Sequence, residues 1–249
     1  MEIPSGDSLY HARREFDNQM ESLFWSWIHS EKDTELSDVL DKAIRSLYVL
    51  RDAAVIQRSH VEIELTFMLE RMVSHAFAAL TLLEKGYVAE ALSTLRTIGE
   101  GCNLMLLLTS DEKELKSFLS SNHNQRDSKF SASKVRNKLK GLDQPNVLDN
   151  IVYSKMSRMF SHFSTGSVFL NSSPYGIDVM GEEYHYKNVM MSMAIWAVLI
   201  LTSLRVGLRL VQYNPDEDEP AVIQLDREST IAIEVLGARI MEQIGSVPI

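Results

Sequence analysis

Residues Leu92–Leu108 read L-S-T-L-R-T-I-G-E-G-C-N-L-M-L-L-L, and this stretch sets the architecture. As a helix it is apolar over nearly its whole circumference, and such a helix is one surrounded by others. A thin polar stripe interrupts it. At 100° per residue, Arg96, Glu100 and Asn103 fall within about 60° of one another. A charge on so apolar a helix must be paired, because an unpaired buried charge costs several kcal/mol. Arg96 and Glu100 are i,i+4 neighbours and can pair in place.

Composition agrees with a helical bundle. The chain has 249 residues, of which 45% are apolar, enough for a sizeable core. Only 11 Gly and 6 Pro are present, too few turn residues for a sandwich or barrel. Leu, Met, Ala, Glu, Lys and Arg are plentiful, and all favour helix. The net charge of −9 argues against the whole surface binding nucleic acid or anionic membrane. The single cysteine, Cys102, excludes an intramolecular disulfide and a cysteine-based zinc site, and its apolar neighbours mark it as a core residue.

Outward from the central stretch, Ser8–Ser30 places Phe16, Met20, Leu23, Phe24 and Trp27 at three- and four-residue steps, the stripe of an amphipathic helix. Leu36–Gln57 follows, and the pattern runs on from Ser59 to Glu84 without Gly or Pro. A break near Gln57–His60 is expected, since a helix of about 50 residues would span some 75 Å. Gly86 supplies a left-handed stop, and Tyr87–Leu108 returns as an antiparallel partner. Ser110 or Asp111 caps a helix over Glu112–Gln125, the basic segment Arg126–Lys140 holds a short helix, and Val147–Phe163 forms the next. The irregular, Gly- and Ser-rich stretch Ser164–Gly181 has the length of a lid or binding loop. Glu182–Tyr213 is the longest helix. Its apolar core, Val189–Leu204, has 16 residues, short of a bilayer span, and is read as a central core helix. The acidic breaker Asn214–Pro220 precedes a short extended piece at Val222–Leu225 and a helix over about Glu228–Ile244. The prediction is all-α: a single domain over residues 1–249, a bundle of about seven or eight mostly antiparallel helices. Residues 1–58 give N-terminal helices, 59–213 the central bundle, and 214–249 the breaker and last helix.

A second polar stripe lies on V-L-D-N-I-V-Y-S-K-M-S-R-M-F-S-H-F, Val147–Phe163. Tyr153, Met156, Phe160 and Phe163 form its core face; Ser154, Ser157 and Ser161 line another, with Arg158 and His162 beyond. If the two stripes meet, Arg96, Glu100, Asn103, Ser157 and His162 enclose a polar pocket. There Arg96 binds an anionic small ligand and Glu100 orients it or acts as a base. His162, near a helix C-terminus, is a proton donor or anion ligand. The alternative is that the Arg96–Glu100 pair is structural. Arg126, Lys129, Lys134, Arg136, Lys138 and Lys140 reverse the local charge and form a weaker candidate surface for RNA, DNA or an acidic partner. Glu182-x-x-His185 matches half of a di-iron site, but no second copy follows, and neither a metal nor a cofactor is expected. No phosphate-loop or Gly-x-Ser-x-Gly pattern occurs.

The segment A-L-S-T-L-R-T-I-G-E-G-C-N, followed by Y-S-K-M-S-R-M-F-S-H-F, resembles a set of bacterial all-helical families of unknown function. Their pattern is an Arg-x-x-x-Glu helix, a helix ending Ser-x-x-x-x-His, a loop and a long apolar helix. The resemblance covers roughly residues 60–210 and matches at Arg96, Glu100, Ser157 and His162. Those families are distantly similar to the HEPN helical domains, many of which are metal-independent ribonucleases. That likeness implies a ribonuclease, toxin or phage-defence effector with His162 and Arg158 as its catalytic pair. The HEPN hallmark separates Arg from His by four to six residues. Here Arg71 to His75 and Arg158 to His162 are each separated by three.

The sequence thus points first to a binding or regulatory module and second to such a ribonuclease. A third reading is an interaction protein in which both stripes serve packing alone. Homodimerisation through the apolar residues of Phe16–Trp27 is expected, with no membrane partner. The opening residues M-E-I-P-S-G-D-S carry no secretory pattern, and the expected location is the cytoplasm.

Overall fold

The computed structural model describes residues 6–28, 34–56, 63–149, 153–154, 182–210 and 223–234. Among these it is all-α. The helices are α1 (Gly6–Ile28), α2 (Thr34–Ile56), α3 (Ile63–Glu84), α4 (Val88–Ser110), α5 (Glu112–Ser120), α6 (His123–Lys129), α7 (Ala132–Gly141), α8 (Glu182–Leu210) and α9 (223–234). The predicted continuous stretch is two helices: α2, described to Ile56, and α3, described from Ile63, pack on each other.

The centre of the bundle is α4 and α8. Helix α4 packs on α3, α8, α7 and α5, while α8 packs on α4, α2 and α3. The near-continuous apolar surface of α4 is buried accordingly, with Leu92, Leu95, Met105 and Leu107 all at 0% exposure. The 22 residues Val189–Leu210 of α8 are long and apolar enough to match a bilayer, more than the 16-residue run suggests, yet 78% of the span is buried within the bundle. Here the apolar face satisfies neighbouring helices, as the core-helix reading requires. Cys102 lies between α4 and α8, its Sγ 3.2 Å from Ser203 Oγ. Burial pushes its thiol up to about 12, so it stays protonated and inert.

The α3–α4 hairpin turns on Gly86, the left-handed residue at φ 78°. Its N–H donates to Leu83 O at 3.0 Å and that of Tyr87 to Leu82 O at 2.8 Å, the paired bonds of a Schellman ending. Helix α1 docks on this hairpin. Lys85 Nζ donates to Glu21 Oε2, and Tyr87 Oη donates to Asp17 Oδ1 at 2.9 Å. Burial raises the Glu84 carboxyl above its ordinary range; Glu21 adds to the rise and Lys85 opposes it. A carboxyl raised on folding destabilises the ionised native state, and that cost disappears once pH falls below the unfolded value. Glu84→Gln is therefore expected to raise the melting temperature by about 1 °C at neutral pH and to lose this advantage below about pH 4. Thermal unfolding at both pH values checks the sign.

Three expectations are corrected and a fourth is narrowed. Met20, Phe24 and Trp27 of the α1 stripe are 0%, 1% and 9% exposed and pack into the chain's own core, whereas Trp25 on the same helix is 37% exposed. The helix expected over Glu112–Gln125 is two helices. α5 is capped by Asp111, whose carboxylate accepts from Lys113 N, and α6 by Asn122, which forms a capping box with Gln125. Val147–Asp149 is not helical; the next helical backbone begins beyond it, where Tyr153 N donates to Asp149 O at 2.9 Å. The last helix begins at residue 223, in place of the extended piece. It lies against α2 and α8 through Lys42–Glu228 at 3.6 Å and Arg205–Asp226 at 3.3 Å. Ser164–Gly181 and Asn214–Pro220 lie outside the described residues.

Candidate functional site

The polar stripe of α4 forms as its spacing requires. Arg96 Nε lies 3.7 Å from Glu100 Oε1, and both side chains are half-buried. Asn103, three positions from the pair's carboxylate on the same face, is 2% exposed and has a different task. Its Oδ1 accepts from Val147 N at 2.8 Å and from Leu148 N at 3.5 Å, and its Nδ2 donates to Leu148 O at 3.0 Å. One side-chain amide thus satisfies a stretch of buried, non-helical backbone. Asn103 was expected as a ligand-binding residue; these three bonds give it a structural role, because its amide is already engaged. Leu148 sits over Gly99, where a Cβ would come within 3.2 Å of it. A side chain at that position would lift the strand of backbone that Asn103 holds.

This anchor delivers Tyr153 to the stripe. The guanidinium of Arg96 lies 5.4 Å from the Tyr153 ring centroid, and that of Arg136, from α7, lies 4.1 Å from the same centroid. Both distances are within cation–π range. Arg136 is 6% exposed. Sequence reasoning placed it in the basic segment and placed Tyr153 on a core face, so both were missed as members of this cluster. The signal was present. Val135 and Leu139 define the buried face of α7, and Arg136 is about 60° from Leu139 on the helical wheel.

The remaining basic residues differ in their surroundings. Arg126 donates to the carbonyls of Phe118 and Leu119 at 2.9 and 3.3 Å. Lys138 pairs with Glu114 at 2.6 Å and lies 4.4 Å from the Phe130 ring. Lys134 donates to Ser128 O at 2.5 Å, and Lys129 to Ser121 Oγ at 3.4 Å. Only Lys140 is exposed with no partner among the described residues. Of the six, Arg136 faces inward, Arg126 and Lys138 tie α6 and α7 to α5, and Lys129, Lys134 and Lys140 are exposed. Ser157, Arg158 and His162 lie outside the described residues. Among the described residues, no three His, Cys, Asp or Glu side chains are grouped to hold a metal.

Fold and site together define an all-α bundle with an arginine–tyrosine–arginine cluster between its central helix and α7. Comparison with protein-family models, with curated proteins and with solved structures gives no match.

Proposed function

We propose that the protein is a helical binding module for an anionic small ligand, held at Arg96, Arg136 and Tyr153. The supporting observation is the convergence of two guanidinium groups, from α4 and α7, on one phenol ring. Glu100 lies beside Arg96. Guanidinium groups bind carboxylates and phosphates in bidentate fashion, so two of them held against one ring offer an oxyanion planar donor forks from two helices. The resemblance to helical families with an Arg-x-x-x-Glu helix is consistent with this reading.

A thermal-shift screen of the full chain against carboxylates and phosphates tests it. At ligand concentrations about 100 times Kd, stabilisation of about 2.7 kcal/mol is expected. Arg96→Ala should abolish that shift. If no anion shifts the native protein and Arg96→Ala only lowers its melting temperature, the cluster is structural. RNA cleavage by the native protein, lost in His162→Ala, would instead support the HEPN-type ribonuclease reading.

A further inference from the structure

A cleft of about 610 Å³ opens between α3, α4 and the α5–α6–α7 connection, and none of its lining residues belongs to the Arg96 cluster. Its volume is that of a small-molecule site. We propose that it binds an aromatic ring carrying an oxyanion, an aryl carboxylate or aryl phosphate.

The floor of the cleft is aromatic. Phe118 and Phe130 meet edge to face with centroids 5.2 Å apart, and both are buried. Both line the cleft, and because Arg126 lies over Phe118 and Lys138 over Phe130, a further ring would meet them in an offset or edge contact. The rim is cationic. Arg126 stacks 4.6 Å above Phe118 and is fixed by the carbonyls of Phe118 and Leu119 and by Glu64 at 3.4 Å. These bonds use its Nε and one Nη, leaving the other Nη with no hydrogen bond among the described residues. A cation held this way is preorganised, so a ligand need not order it.

Arg71 faces the same cleft from α3. Its Nε donates to His75 Nε2 at 3.3 Å, and no carboxylate among the described residues pairs with it. Lys129 is nearby through Ser121, a lining residue. Two carboxylates oppose these cations. Glu64 is engaged by Arg126, and Asp127 Oδ2 lies 3.1 Å from His123 Nδ1. The Asp127 contact makes Nδ1 the donor and leaves His123 Nε2 available to a ligand. Among the residues that line the cleft, Arg71 is therefore the cation with no carboxylate partner among the described residues. A single oxyanion at Arg71, with its ring against the edges of Phe118 and Phe130, satisfies both the rim and the floor.

The test uses ligand-detected NMR and calorimetry on the full chain, with 2-naphthoate and phenyl phosphate as probes. Inorganic phosphate and 2-naphthol, each lacking one half of the pattern, are the controls. Both aromatic oxyanions should bind about tenfold or more tightly than either control. Arg71→Ala, at an exposed position, should weaken them by a similar factor without altering the fold, and Arg71→Lys should restore part of the loss. Preference for only one probe assigns the oxyanion as carboxylate or phosphate. Equal binding of 2-naphthol, undiminished binding by Arg71→Ala, or no binding of either probe at millimolar concentration would overturn the proposal.

Discussion

Trp196→Ala is expected to destabilise the protein by about 4 kcal/mol, the largest effect of any single truncation considered. Trp196 lies on α8 at 0% exposure, and its Nε1 donates to Ala76 O on α3 at 2.9 Å. Truncation removes the largest fully buried side chain of the core and leaves a cavity that surrounding helices can fill only in part. It also removes the hydrogen bond that ties α8 to α3. At about 2–4 °C per kcal/mol for a chain of this size, the melting temperature should fall by about 8–16 °C. Trp196→Phe separates the contributions. It keeps most of the ring volume, so its cost should be about 1–2 kcal/mol, from the lost bond and a smaller void. Denaturant unfolding of both variants gives the comparison. A Trp196→Ala protein within about 1 kcal/mol of the parent would contradict the central position of α8.

Asn103→Ala should cost about 3 kcal/mol, with a consequence at the site as well. The Ala side chain leaves Val147 N–H and the Leu148 backbone without their partner in a buried setting. Each orphaned buried group costs about 1–3 kcal/mol. Detachment of this backbone also withdraws the support for Tyr153, on which Arg96 and Arg136 converge. Loss of stability, faster amide exchange at Val147 and Leu148, and loss of the anion-dependent thermal shift should therefore appear together. Normal exchange protection at those amides in Asn103→Ala would show that another contact holds them.

The two variants probe different kinds of information. The burial of α8 and α4 is legible in their composition, because a helix apolar on all sides has no solvated face to offer. The Gly86 stop, the Asp111 cap and the Arg96–Glu100 pair are equally legible, since each links residues no more than five positions apart. The split between α5 and α6 was also written locally, in the Asn122-x-x-Gln125 capping box. The absence of Gly or Pro across Glu112–Gln125 masked it. The candidate site was legible only in half. Arg96 and Glu100 stand on the predicted stripe, and Tyr153 and Arg136 beside them were not expected there; Ser157 and His162 lie outside the described residues.

Those partners depend on distances along the chain that no periodicity encodes. Asn103 binds backbone more than forty residues away. Its amide is satisfied there because burial has removed water as an alternative. Arg136 turns inward because Tyr153, brought close by that same anchor, offers its ring where α7 meets α4. The α1 stripe is amphipathic whether it docks on its own chain or on a second copy. Packing in three dimensions assigns it to the chain's own core. Local hydrogen bonding and helical period thus specify the rods and their ends, as they act within a turn or two. Which faces meet, and which polar groups are left to one another, follows from excluding water across the whole bundle at once.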